Sequence, residues 1–331
     1  MANMNDVAKL AGVSRGTVSN FINGVKINEK SAERIKEAIE RLNYVPNQAA
    51  RSLKKNSSDT IAFILPTIWT PFFAELTYFI QLELQKYGLK LLLCNSQNDY
   101  NKELEYVQMA KEEKVKGIIT ISYSDIDPYL TSNLPIVSIE RYFNQQVPFI
   151  TSDNFIGART AAAELHQRGA KRLLLIMRRI PKNMGVFERL NGFIDYCKHA
   201  KVTYAIHEDT GDSAGFSKRL DEYLLTAYRE DIPYDGIFTM TDRYAEYVLH
   251  SFSALKWQIP EDIQLIGFDG ARSYQSQPLV ISTIRQNVSE IARISVDELI
   301  HFDKDKERQN LHFLPVHFLP LSTTRKHPSE L

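Results

Sequence analysis

The sequence is short of the features by which many protein classes can be told. Two cysteines, Cys94 and Cys197, stand in 331 residues, too few and too far apart for a disulfide framework or a thiolate metal site. Reduced, buried thiols in a cytoplasmic protein are expected instead. Long hydrophobic runs are missing as well. Ile61 to Leu65 and Leu91 to Cys94 are strand-length, whereas a membrane-crossing helix needs about 20 apolar residues; no membrane partner is expected. The N-terminus opens with Asn and Asp in an amphipathic stretch and reads as carrying no secretory signal. No glycine-rich dinucleotide fingerprint follows a strand, no phosphate-binding loop appears, and the eight histidines form no metal-spaced cluster. The usual marks of an enzyme, a cofactor or a metal site are therefore wanting. Repeats and low-complexity tracts are also absent.

Net charge is missing too, but only in the sum. The chain carries 40 basic and 40 acidic residues. Up to Ser58, ten Lys and Arg face five Asp and Glu, so the first 58 residues hold +5 and the remainder −5. A basic head on an acidic body suits a polyanionic partner held by the head alone.

The head has a matching pattern. Val7, Ala8, Leu10 and Ala11 follow helical spacing, and Gly12-Val13 breaks it at a tight turn. Ser14 stands where an N-cap belongs, and Thr17, Val18, Ser19, Asn20 and Ile22 continue as a second short helix. Such a pair delivers its second helix into a major groove about 12 Å wide. An ordinary helical hairpin would look similar; the charge partition favours DNA. Asn28 can cap a third helix to about Asn43, with Ile35, Ala38, Ile39 and Leu42 on one face. Tyr44-Val45-Pro46 ends it. Residues 47–55 are polar and mildly helical, and Asn56 to Asp59 read as a linker.

From Thr60 strands alternate with helices. Ile61–Leu65, Leu89–Cys94, Gly117–Ser122 and Pro135–Ile139 form one set of strands. Arg172–Met177, Tyr204–Glu208, Gly236–Met240 and Ile263–Phe268 form a second. The fold class is α/β with a small all-α N-terminal domain. Two sets of about four strands predict two parallel-sheet lobes with a ligand at the carboxyl ends of the strands between them.

These residues carry a resemblance. Residues 5–22, Asn-Asp-Val-Ala-Lys-Leu-Ala-Gly-Val-Ser-Arg-Gly-Thr-Val-Ser-Asn-Phe-Ile, resemble the start of the lactose/galactose-repressor family of transcription regulators. Leu42-Asn-Tyr-Val-Pro-Asn, Ala50-Arg-Ser-Leu, Asp153-Asn154, Arg189-Leu-Asn-Gly192, Ile266-Gly-Phe-Asp269 and Pro278 through Gln286 follow in order. The resemblance implies a helix-turn-helix domain at 1–46, a hinge helix and linker at 47–59, and a two-lobed effector and dimerisation domain at 60–331. That domain is like type I periplasmic sugar-binding proteins, with lobe 1 at about 60–154 plus 285–310 and lobe 2 at about 155–284 plus 311–331. It further implies a homodimer on a near-palindromic operator, repression, and control by a small-molecule effector, a sugar or sugar phosphate.

Residue by residue, Arg15, Gly16 and Asn20 fall at positions that face base edges. Arginine suits guanine O6/N7 and asparagine adenine N6/N7. Gly16 departs from the family, which places a base-reading side chain there. Thr17, Ser19, Asn23, Asn28 and Ser31 match phosphate-positioning groups. In the hinge, Leu53 matches the leucine that wedges into a base step from the minor groove, with Lys54 beside it and Asn47 and Ala50 flanking. In the body, Arg189 matches an arginine that grips sugar hydroxyls or an effector carboxylate, and Asp269 the aspartate opposite. Phe72 and Phe73 are placed to stack on a sugar face; Ser122, Thr241 and Asp242 stand at strand ends toward the cleft. Asp153 either joins them or only caps the next helix. Thr210 stands where several relatives place an aromatic, and Phe187-Glu188 replaces more polar residues, so the effector need not be a familiar one. Three other readings compete: an α/β enzyme, a transport binding protein, and a regulator without an effector. The absent catalytic motifs, the basic head, and Arg189 with Asp269 weigh against them in turn.

Overall fold

A computed structural model describes residues 2–45, 58–130, 134–143, 147–302 and 311–327. The chain divides into two compact units, Met1–Ser58 and Asp59–Leu331.

The head is three helices: α1 (Met4–Ala11), α2 (Arg15–Ile22) and α3 (Glu29–Arg41). Asn3 and Asp6 form a capping box on α1, and Gly12 ends it at φ +62°, a left-handed turn that glycine adopts without strain. Ser14 caps α2 and Asn28 caps α3. Val7, Ala8, Ala11, Val18, Ile35, Ala38 and Tyr44 are buried together, with Ile39 and Leu42 packed against them. Leu10 lies off this side of α1 and is exposed.

The body holds two six-stranded sheets. In lobe 1 the elements are β1 (Thr60–Leu65), α4 (Pro71–Lys86), β2 (Lys90–Asn95), α5 (Tyr100–Glu112), β3 (Gly117–Thr120), β4 (Ile136–Ile139) and β5 (Phe149–Ser152). Lobe 2 continues with α6 (Asn154–Gln167), β6 (Arg172–Arg178), α7 (Glu188–Ala200), β7 (Thr203–Asp209), α8 (Phe216–Ala227), β8 (Gly236–Thr239), α9 (Asp242–Phe252), β9 (Gln264–Asp269) and β10 (Ser282–Arg285). The chain returns to lobe 1 with α10 (Val288–Ile300) and β11 (Leu311–Leu314), and ends in lobe 2 with β12 (His317–Leu319). The strand orders are β11-β5-β4-β3-β1-β2 and β12-β10-β9-β8-β6-β7, parallel except for β12 on β10.

Continuous apolar strands follow from burial on both faces. Along β1, Ile61, Phe63 and Leu65 enter one core with α4 and α10, and Ala62 and Ile64 enter the other. Leu173, Leu175 and Met177 of β6 likewise part from Leu174 and Ile176. Cys94 and Cys197 are buried and free, and burial pushes their thiols up to about 11 and about 12. Among the described residues no helix is long and apolar enough to cross a membrane.

Two expectations need correction. Each sheet has six strands rather than about four, because β5, β10, β11 and β12 are short strands in which Thr151, Ser152, Ser282, Thr283, Arg285, His312 and His317 break up the apolar run that marks the others. Residues 311–314 belong to lobe 1, since β11 pairs with β5; the last crossover comes after Leu314.

Candidate functional site

The strand ends converge on one cavity of about 400 Å³ between the lobes. Lobe 1 supplies its rim through the start of α4, where Thr70 caps the helix and Pro71 opens it. Phe72 and Phe73 stand in that first turn, their rings 5.5 Å apart and edge to face, and both line the cavity with Tyr123 and Glu140. From lobe 2 come Arg178, Arg189, Thr241, Asp242 and Asp269.

Arg189 anchors the floor. It is only 2% exposed, and its guanidinium carbon lies 3.5 Å from the centroid of the Phe268 ring. Its Nε donates to Asn154 Oδ1 at 2.7 Å, and Nη1 donates to the Met240 carbonyl and, at 3.4 Å, to Asp269 Oδ1. Asn154 Nδ2 in turn donates to Glu140 Oε2 at 3.0 Å, which also accepts from Thr151 Oγ1 at 2.8 Å. On the other side Gln286 Nε2 donates to Asp269 Oδ1 at 2.7 Å, and Ser152 Oγ donates to Gln286 Oε1 at 2.6 Å. One polar chain thus links Glu140, Thr151 and Ser152 of lobe 1 to Asn154, Arg189 and Asp269 of lobe 2. Removing any member leaves a buried polar group without its partner.

Three acids share this floor. Glu140 and Asp269 hold left-handed backbone, φ +62° and +114°, a strained conformation for these residues that concentrates at functional sites. Burial pushes the Asp269 carboxyl up to about 6, against the pull of Arg189. Burial also raises Glu140, and raises Asp242 well above the ordinary range with the help of the Asp269 charge. Asp242 is internally engaged: Oδ2 accepts from Gly270 N at 2.6 Å and Oδ1 from Thr283 Oγ1 at 2.7 Å. A floor of forked donor, acceptors and flanking aromatic rings can bind a small polar molecule with one apolar face.

Ser122, Asp153 and Thr210 do not line the cavity. Ser122 is buried and donates to Glu103 Oε2. The Asp153 side chain accepts from Ile156 N at 3.0 Å, capping α6. Thr210 is exposed just beyond β7.

On the head, Arg15, Gly16 and Asn20 are exposed. At 100° per residue they span about 140° of α2, on the side away from buried Val18. Thr17 Oγ1 lies 2.9 Å from Ser14 Oγ, and Asn23 Nδ2 donates to Ser19 O at 2.7 Å. Asn28 is occupied as a cap, accepting from Lys30 N, and Ser31 is half-buried in the first turn of α3. Asn47, Ala50, Leu53 and Lys54 lie outside the described residues.

Residues 3–47 match the lacI family of bacterial regulatory proteins, and 162–320 match the periplasmic binding protein-like domain. The sucrose operon repressor of Streptococcus mutans is 33% identical over 321 residues, covering 96% of this chain and 98% of the relative. The chain belongs to the lacI family. The ribose operon repressor of Bacillus subtilis is 32% identical over 98% of this chain and 99% of its own. Among solved structures, a Lac repressor dimer bound to operator and an anti-inducer shares the fold with a TM-score of 0.84 at 20% identity, covering 98% of this chain and 99% of that one. This lacI-family chain is thus a DNA-binding regulator with a small-molecule effector domain.

Sequence reasoning missed Glu140, Tyr123, Arg178 and Gln286. A signal existed for two of them: Glu140 and Arg178 are charged residues closing the apolar runs of β4 and β6. Nothing in the local pattern marked Tyr123 or Gln286 as sharing a cavity.

Proposed function

We infer that the protein is a cytoplasmic repressor that binds a near-palindromic operator as a homodimer, with its DNA affinity set by a carbohydrate in the cleft. No catalytic step is part of this reading. The observation that carries it is Arg189, a buried guanidinium paired with Asp269 beneath a cavity whose rim holds Phe72, Phe73 and Tyr123. A fork of donors, an acceptor and an aromatic wall match vicinal hydroxyls on one side of a sugar and its C–H face on the other. The sucrose and ribose operon relatives support the same class. In this reading Arg15 and Asn20 meet base edges, Gly16 lets α2 approach closely, and Thr17, Ser19, Asn23 and Ser31 face phosphates. The effector contacts are Phe72, Phe73, Arg189, Thr241 and Asp269, with Asp242 holding the loop at Gly270.

Calorimetry on the full chain with a panel of mono- and disaccharides tests it. One or more sugars bind to the wild type, and Arg189→Ala weakens that binding by about 2–5 kcal/mol. A sugar that binds Arg189→Ala as tightly as wild type contradicts the cleft assignment.

A further inference from the structure

Two arginines stand beside one buried carboxylate at the edge of the cleft. Arg178 ends β6, Asp209 ends β7, and the two residues are paired in the parallel register. Asp209 is buried, and its carboxylate is taken by a third residue. Arg219, in the first turn of α8, donates from Nε to Oδ1 at 2.7 Å and from Nη2 to Oδ2 at 2.9 Å. A forked pairing of this kind is among the strongest a carboxylate makes, and it holds the Asp209 carboxyl below the usual range. Arg178 is left outside it. Its Nε is buried 3.7 Å from Asp209 Oδ2 and has no hydrogen-bond acceptor among the described residues. Its Nη2 donates to the Gly211 carbonyl at 3.1 Å, and the side chain lines the cavity.

Arg219 does not line the cavity, yet it shapes the loop that does. Nη2 also donates to the Asp212 carbonyl, and the Asp212 side chain accepts from Gly215 N at 2.6 Å. A Cβ at Gly211 or Gly215 would stand 2.3 or 2.2 Å from the guanidinium, so the loop lies directly against it. Folded this way, the loop sends Ser213 to the cavity and leaves Thr210 exposed. Removing Arg219 changes the balance. A buried carboxylate without a partner is costly, and the Arg178 guanidinium is already within 4 Å of this one. Turning onto Asp209 would take Arg178 off the cavity wall. We propose that Arg219 is a positioning residue for effector binding: by holding both oxygens of Asp209 it withholds that carboxylate from Arg178 and leaves the Arg178 guanidinium to the effector. This rests on the cleft as the effector site and, for the choice of probes, on the carbohydrate reading.

Two measurements on the full chain test it. The first needs no ligand: urea unfolding followed by the fluorescence of Trp69 and Trp257. Arg178→Met lowers the midpoint by about 0.5 M or more in an Arg219→Met background beyond its effect in wild type, because Arg178 has there become the partner of Asp209. Equal shifts in the two backgrounds overturn the competition for Asp209. The second is calorimetry with sucrose, ribose, glucose and fructose. A sugar that binds wild type loses about tenfold or more in Arg219→Met and in Arg178→Met, and the double variant loses no more than the weaker-binding single. Arg219→Lys, a single point charge in place of a fork, restores the midpoint but only part of the affinity; a merely structural role would restore both together. Should Arg219→Met fail to fold, Arg219→Lys takes its place in both measurements. Sugar affinity unchanged in Arg219→Met, or losses that multiply in the double variant, overturn the positioning role and leave the carbohydrate cleft standing. Silence from all four sugars against wild type overturns the carbohydrate reading instead, and the urea cycle then decides alone whether Arg219 withholds Asp209.

Discussion

Gly192 controls the cleft from outside it. It lies one turn after Arg189 on α7, against the start of α6. A Cβ there would stand 2.0 Å from the Phe155 carbonyl oxygen, 2.9 Å from its carbon and 3.1 Å from its Cα. Carbon–oxygen contacts settle at about 3.3–3.6 Å, so Gly192→Ala forces α7 back by about 1 Å. The 2.7 Å bond from Arg189 Nε to Asn154 would then stretch to about 3.7 Å, beyond hydrogen-bond range. Overpacking costs about 1–3 kcal/mol, and the lost charge-assisted bond about 1.5–3 more. A body destabilised by about 3–5 kcal/mol follows, with Arg189 displaced. Both tryptophans, Trp69 and Trp257, are in the body, so fluorescence during urea unfolding reports that unit alone. At a slope of a few kcal/mol per molar, the midpoint drops by about 1 M or more. An unchanged midpoint together with unchanged sugar binding would refute the argument that α7 is held by backbone contact at Gly192.

Three further outcomes are expected. Arg15→Ala should lose about 1–3 kcal/mol at one symmetric base position while Lys9→Ala weakens all sequences alike, read from binding to single-base operator variants; uniform loss in both would remove Arg15 from the base edges. Glu75 on α4 holds Arg285 through contacts of 2.6 and 2.9 Å and accepts from the Arg272 amide at 3.0 Å, tying lobe 1 to lobe 2. With side chains 12% and 19% exposed, this pair is partly screened, so Glu75→Gln and Arg285→Gln should each lower body stability by about 1–3 kcal/mol. Their double variant should lose less than the sum, whereas strict additivity would contradict the coupling. Asp269 has a folded pKa of about 6 against an ordinary 3.8, so the folded body binds its proton more tightly than the unfolded chain. Its contribution is present below about pH 4 and lost as pH rises through 6. Asp269→Asn should therefore gain on wild type by about 1–3 kcal/mol between pH 4 and 7 in urea titrations, and a relative loss would reverse the sign.

Much of this was legible in the chain because the signals are local. Helix caps at Ser14 and Asn28, and apolar runs such as Ile61–Leu65, announce their own structure within a few residues. The floor pair Arg189 and Asp269 was reached through resemblance, since they meet only when β6, α7 and β9 are assembled. Ser122 illustrates the limit. It stands near a strand end as expected, yet its hydroxyl turns to Glu103 in the far core, a choice made by tertiary packing. Gln286 and Tyr123 were illegible for the same reason: each is polar beside an apolar strand, and only the crossover geometry brings them to one cavity. The strands β5, β10, β11 and β12 were illegible because polar residues interrupt them, whereas the equally short β3, β4 and β8 sit within mostly apolar runs.

The central claim is that the cleft and the head are energetically coupled. The most direct measurement is fluorescence anisotropy of an operator, selected from random duplexes with the full chain, titrated with and without the sugar found by calorimetry. Coupling of about 1–3 kcal/mol shifts operator affinity about 5- to 150-fold at saturating sugar, and the shift vanishes in Arg189→Ala, which still binds the operator. Operator affinity that stays the same with the cleft saturated would contradict the account.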